Sequence, residues 1–142
     1  MELGDIIEYG TKIPCFLGVF FPEDLFKLNI TKSKIGFICV NEEHAVAVFI
    51  SEETIEVFDP LGPANALFSP LCQFLHNNLP CKTLKISGQI QSDESSQCAQ
   101  FRLIFLMLRC LGYDYETIAS YYSCDLSAND DKASALFDNL FM

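Results

Sequence analysis

His44, Asp59 and Cys98 are the residues whose types could together perform nucleophilic catalysis. A thiol can attack as thiolate, an imidazole can take and return its proton, and a carboxylate can hold that imidazole in one tautomer. Segments 44–50 (HAVAVFI) and 54–58 (TIEVF) read as two strands joined by Ser51-Glu52-Glu53. A turn centred between Ser51 and Glu52 sets His44 directly across from Asp59 at the open end of the hairpin, with Cβ atoms roughly 5 Å apart. Alternation then puts His44, Val46, Val48 and Ile50 on one side together with Ile55, Val57 and Asp59. That side is apolar except for the two polar groups, and the apolar helix that begins at Cys98 is expected to cover it. Serines just before Cys98 can cap that helix, and the positive end of its dipole favours a thiolate. A structural histidine–carboxylate bond beside a buried cysteine would leave the same pattern, and another cysteine could equally be the nucleophile. His76, the second histidine, reads as a solvated helix residue.

The elements that must position these groups follow from periodicity. Residues 35–40 (IGFICV) form a further strand, rich in β-branched and aromatic types. Phe58-Asp59-Pro60-Leu61-Gly62-Pro63 ends the second hairpin strand, because proline cannot donate to a ladder. A helix is predicted over 69–78, with Pro70 in its first turn, and a strand over 82–86. A polar loop spans 87–97. The segment 98–111 (CAQFRLIFLMLRCL) is a helix apolar nearly all round, interrupted by Gln100, Arg102 and Arg109, so it should be buried. Shorter helices are expected over 115–122 and, after an Asp130-Asp131 cap, over 132–141. This order predicts an α+β fold in which an antiparallel or mixed β-sheet packs on the buried helix carrying the nucleophilic cysteine.

Composition narrows the partners. The 142 residues suit one domain, half of them are hydrophobic, and charged residues are a fifth of the total, so a core should form along most of the chain. A net charge of −10, with 19 acidic against 9 basic residues, opposes the counterion release on which nucleic-acid binding relies. Apolar runs such as Leu103 to Leu108 are far short of the roughly 20 residues that cross a bilayer, and the acidic start lacks the pattern of a signal peptide. Seven cysteines without a two-residue spacing disfavour a zinc cage or a disulfide framework. Most are expected to be small buried hydrophobes in a reducing compartment.

The same residues resemble the family of the adenovirus maturation protease, adenain, and its relatives that process ubiquitin-like proteins. Pro14-Cys15-Phe16-Leu17-Gly18 is similar to that family's N-terminal Pro-aromatic-Phe-Leu-Gly element. Cys39-Val40-Asn41 followed by His44 resembles the approach to its histidine, and Val57-Phe58-Asp59-Pro60-Leu61-Gly62 its acid segment. Gln91, seven residues before Cys98, matches the oxyanion-hole glutamine, and Cys98-Ala99-Gln100-Phe101 the nucleophile segment. Gln89 and Gln97 lie close enough to be alternatives. The likeness covers about residues 14–110 and keeps the order His, acid, Gln, Cys. It implies a papain-like cysteine endopeptidase without cofactor or metal, with Cys98, His44, Asp59 and Gln91 as its catalytic set. Its implied substrate is a viral capsid or core precursor polypeptide, cut next to small residues such as glycine, in the host nucleus and virion.

The departures define the other readings. Ala45 stands where the family usually has Trp after the histidine, and Ala99 where it has Gly after the nucleophile. Neither change removes a group used in acyl transfer. The chain also ends about thirty residues after the nucleophile helix, without the viral enzyme's extended C-terminal part. Cys81 lies near where the adenoviral enzyme carries the cysteine that bonds an activating peptide; it is either such a site or a buried structural thiol. DNA stimulation does not carry over to so acidic a chain. A modifier protease, favoured by Asp rather than Glu at position 59, and an inactive interaction protein on the same scaffold are the alternatives.

Overall fold

The structure, a computed structural model, describes residues 3–28, 30, 34–40, 44–59, 68–87 and 98–142. Five strands lie side by side in chain order: β1 (Phe16–Phe20), β2 (Ile35–Val40), β3 (Ala45–Ile50), β4 (Thr54–Phe58) and β5 (Thr83–Ile86). β2, β3 and β4 are antiparallel neighbours, whereas β1 pairs with β2 and β4 with β5 in parallel. The sheet is therefore mixed. The physical reason is the connections, since each parallel pair is joined by a crossover longer than a hairpin turn. The β4–β5 crossover carries α2 (Phe68–Asn78), and the β1–β2 crossover a 3-10 helix (Pro22–Lys27).

α3 (Cys98–Cys110) crosses one face of the sheet, with α1 (Leu3–Gly10), α4 (Tyr115–Ser120) and α5 (Leu126–Phe141) around it. α2 and the 3-10 helix cover the other face. β2 and β3 are buried at every position, so both faces are apolar and alternation alone cannot tell which of them meets α3. The structure reverses the expected choice. Val46, Val48, Ile50, Ile55 and Val57 pack on Leu71 and Leu75 of α2. Ala45, Ala47, Phe49 and Phe58 pack under α3. Small alanines let the helix approach, and so does Gly36 of β2, where an added Cβ would lie 2.8 Å from Leu106 Cδ2.

The remaining boundaries follow local chemistry. α1 and β1 were not anticipated. β1 is irregular: its register shifts between Phe16 and Val19, and Gly18 supplies φ +141° there. α5 begins six residues before Lys132, with Asp125 rather than Asp130-Asp131 as its cap, accepting from Ala128 N–H at 3.2 Å. Its Asn129 is fully buried and bonds both backbone groups of Ser123, so this polar run is helix interior. The cysteine expectation is corrected as well. Among the described thiols Cys39 is buried, Cys15, Cys72 and Cys110 are partly exposed, and Cys81 and Cys124 are exposed. A buried structural role for Cys81 is thereby ruled out. No described helix is long and apolar enough to cross a membrane.

Candidate active site

His44 immediately precedes β3 and Asp59 immediately follows β4, so both stand at the same open end of the hairpin. Their pairing is not the direct one expected. Ile50 faces Ile55 and Ala47 faces Phe58, which centres the turn between Glu52 and Glu53. Extending that register sets Asp59 opposite Val46, one pleat repeat away from His44. A two-residue shift preserves the faces of both strands, so the predicted partners still meet, now on a diagonal. His44 Nε2 lies 2.8 Å from Asp59 Oδ2.

Asp59 is held from several sides. Its side chain is fully buried, and that of His44 is 11% exposed. Its N–H donates to Ser87 Oγ at 2.8 Å, and the Ser87 hydroxyl donates back to its carbonyl at 2.9 Å. Sequence reasoning missed both Ser87 and the most consequential neighbour, Arg102. This arginine is wholly buried, and its Nε donates to the Ala45 carbonyl. Its Nη2 lies 3.5 Å from Asp59 Oδ1 and 3.4 Å from His44 Nε2. Nε2 cannot both donate to Asp59 and accept from Arg102, and the shorter contact decides in favour of Asp59. The guanidinium then serves the other carboxylate oxygen. A buried carboxylate without such a cation would be expensive to hold.

Arg102 also links this pair to α3. Cys98 opens that helix four residues earlier, about 6 Å along the axis from Arg102. The backbone thus brings position 98 to the end of the sheet where His44 and Asp59 stand. Beyond that helix position, the Cys98 side chain lies outside what is described. So do Gln91 with Gln89 and Gln97, the capping serines, and Pro60-Leu61-Gly62. Arg102 did leave a signal: it is the charge in the middle of the most apolar helix, four residues after the candidate nucleophile.

The departures from the resemblance also have a place in the packing. Ala45 and Ala99 are both buried in the core beneath and along α3. His76 is exposed on α2, as expected, and takes no part in this end of the molecule.

No protein-family model matches the chain, and no curated protein sequence does. Among solved structures it is similar to the central domain of the uncharacterized Lpg1148 protein from Legionella pneumophila, at 14% identity and a TM-score of 0.54, over 99% of this chain and 98% of that one. That is a likeness of fold alone. A crystal structure of the ASFV pS273R protease aligns at 17% identity and a TM-score of 0.46, over 70% of this chain and 41% of that one. AvrA with IP6 and CoA aligns at 11% identity and a TM-score of 0.49, over 94% and 67%. These two likenesses are too distant to bear on the chemistry.

Proposed function

We propose that this chain is a cysteine endopeptidase of the adenain type. The observation that carries the reading is the 2.8 Å contact between His44 Nε2 and Asp59 Oδ2 at the sheet end where α3 begins. Asp59 accepts from Nε2–H, so the nitrogen that must serve the thiol is Nδ1. In the proposed reaction Nδ1 takes the Cys98 proton and the thiolate attacks the scissile carbonyl carbon. Gln91 and the Cys98 backbone N–H stabilise the oxyanion. The C–N bond then breaks, with the imidazolium returning its proton to the leaving amine. Water, deprotonated by the same imidazole, hydrolyses the thioester and regenerates the thiol. Arg102 is a positioning residue, because it touches the carboxylate and the imidazole rather than substrate.

The proposed substrate is a precursor polypeptide of the viral maturation kind, cut beside small residues and in the nucleus and virion. The sequence resemblance supports this, particularly the segment from Pro14 to Gly18. An activating peptide joined to Cys81 belongs to the same reading, and the exposure of that thiol is compatible with it. An active-site-directed electrophile tests the chemistry. Selective labelling of Cys98 that disappears in His44→Ala is expected, and equal labelling of several cysteines would refute it. The substrate is then decided by offering capsid-precursor peptides and ubiquitin-like modifier fusions side by side. Cleavage of the fusions alone transfers the protein to the modifier proteases, a reading that Asp59 favours.

A further inference from the structure

The Arg102 contact to Asp59, at 3.5 Å, is longer than an ordinary hydrogen bond and does not by itself set where the carboxylate lies. Only χ1 and χ2 separate that carboxylate from its own main chain, so what anchors the main chain of Asp59 also aims Oδ2. The anchor is on β5. Val57 of β4 lies beside Ile86 in the parallel ladder, and Ser87 N–H donates to the Val57 carbonyl at 3.1 Å. Continued regularly, the slanted ladder would next run from Asp59 N–H to the Ser87 backbone carbonyl. Asp59 N–H donates instead to Ser87 Oγ at 2.8 Å, and the same hydroxyl donates to the Asp59 carbonyl at 2.9 Å. A backbone carbonyl could come from any residue at position 87, whereas a short side chain that accepts and donates at once belongs to serine or threonine. Ser87 is buried although Thr83, Leu84 and Ile86 of the edge strand before it are exposed, and Asp59 is buried completely. Loss of the hydroxyl would therefore take a partner from each of two buried backbone groups of the acid.

We infer that Ser87 is a positioning residue for the His44–Asp59 pair: its hydroxyl fixes the main chain of Asp59 so that Oδ2 meets His44 Nε2 before substrate arrives. The inference rests on the reaction proposed for that pair. Ser87 bonds the backbone of the acid, not the imidazole, so its part is geometric and differs from that of Arg102, which supplies charge. Without the hydroxyl the end of β4 keeps its last ladder bond at Val57, two residues short of the acid, and the carboxylate can drift from the 2.8 Å contact. An imidazole released from that contact turns more freely and presents Nδ1 to the thiol less often.

The test compares Ser87→Ala and Ser87→Thr in the full chain by two readouts. The first needs no substrate: the proton resonance of the His44 ring N–H bonded to Asp59, assigned by its absence from His44→Ala. It should be protected from solvent exchange in the unmodified chain and in Ser87→Thr, and lost to exchange in Ser87→Ala. The second is peptide hydrolysis per folded molecule, where Ser87→Ala should lower kcat roughly 10-fold with little change in KM and Ser87→Thr should restore the rate. Should Ser87→Ala fail to fold, Ser87→Cys, a weaker donor and acceptor at the same place, takes the same two measurements. Loss of the resonance in Ser87→Ala supports the positioning role even if the unmodified chain hydrolyses no peptide, a result that would count against the proposed reaction alone. A resonance equally protected in Ser87→Ala, one unprotected in the unmodified chain, or a rise in KM with kcat unchanged would overturn the inference.

Discussion

α3 carries two arginines seven residues apart, and each reaches an acid of β4 or its end, yet the two pairs are built differently. Arg109 grips Glu56 with Nε at 2.7 Å and Nη2 at 3.0 Å, and the Thr54 hydroxyl donates to the same carboxylate at 2.8 Å. Its Nη1 donates to the Tyr113 carbonyl, and the guanidinium lies 4.5 Å over the Phe49 ring. Every oxygen of Glu56 is occupied by a partner at full hydrogen-bond strength, which makes the pair a clamp between helix and sheet. Arg102 stands at 3.5 Å from Asp59 and cedes the short contact to His44. One carboxylate is saturated by its arginine and a hydroxyl, whereas the other is shared with a mostly buried imidazole. The lesson is that a buried ion pair becomes a candidate for chemistry when a third group takes part of the acid.

Substitutions can break this contrast in order of size. Under the proposed reaction His44→Ala should lower peptide hydrolysis by roughly 10⁴-fold while the thermal transition stays cooperative. A comparable rate in the variant would end the reading. Arg102→Met should destabilise the fold by about 3 kcal/mol in a denaturant titration, because the buried acid loses its cation. It should also cost roughly 10²-fold in kcat with a smaller change in KM, through misplacement of the imidazole. Arg102→Lys should not restore the rate, since an ammonium cannot serve the Ala45 carbonyl and Asp59 in the same fork geometry.

Glu56→Gln is the matched experiment at the other pair. Its expected effect is also about 3 kcal/mol of stability, but with the hydrolysis rate per folded molecule unchanged. A fall in that rate would show that the clamp reaches the His44 end through α3. The smallest effect belongs to Thr54→Val, which removes one hydroxyl from the Glu56 carboxylate. It should cost about 1 kcal/mol and nothing in catalysis.

Much of the scaffold could be read from periodicity because its elements are long, apolar and bounded by strong breakers. β2 and β4 coincide with their expected limits, and β3, α2, β5 and α3 agree within one residue at each end. The N-terminal α1 and β1 were illegible because α1 spans only eight residues with Gly4 and Gly10 near its two ends, and β1 is a five-residue apolar run interrupted by Gly18. The turn centre was misjudged because Ser51-Glu52-Glu53 contains no residue that demands a particular turn geometry. The error did no harm to the histidine–acid pairing, since a shift of two keeps every face.

Residue types and their order alone determined that the chain would form a mixed helical and sheet core, and that His44 and Asp59 would meet at the open end of one hairpin. Local hydrogen bonding and the two-residue repeat of a strand are enough for that. Only the tertiary structure decided which face of an all-apolar sheet lies under α3 and that Arg102 is buried against Asp59. Such contacts join residues far apart in the chain, 43 positions for Arg102 and Asp59, and they are settled by where small side chains let a helix approach, which no local pattern encodes.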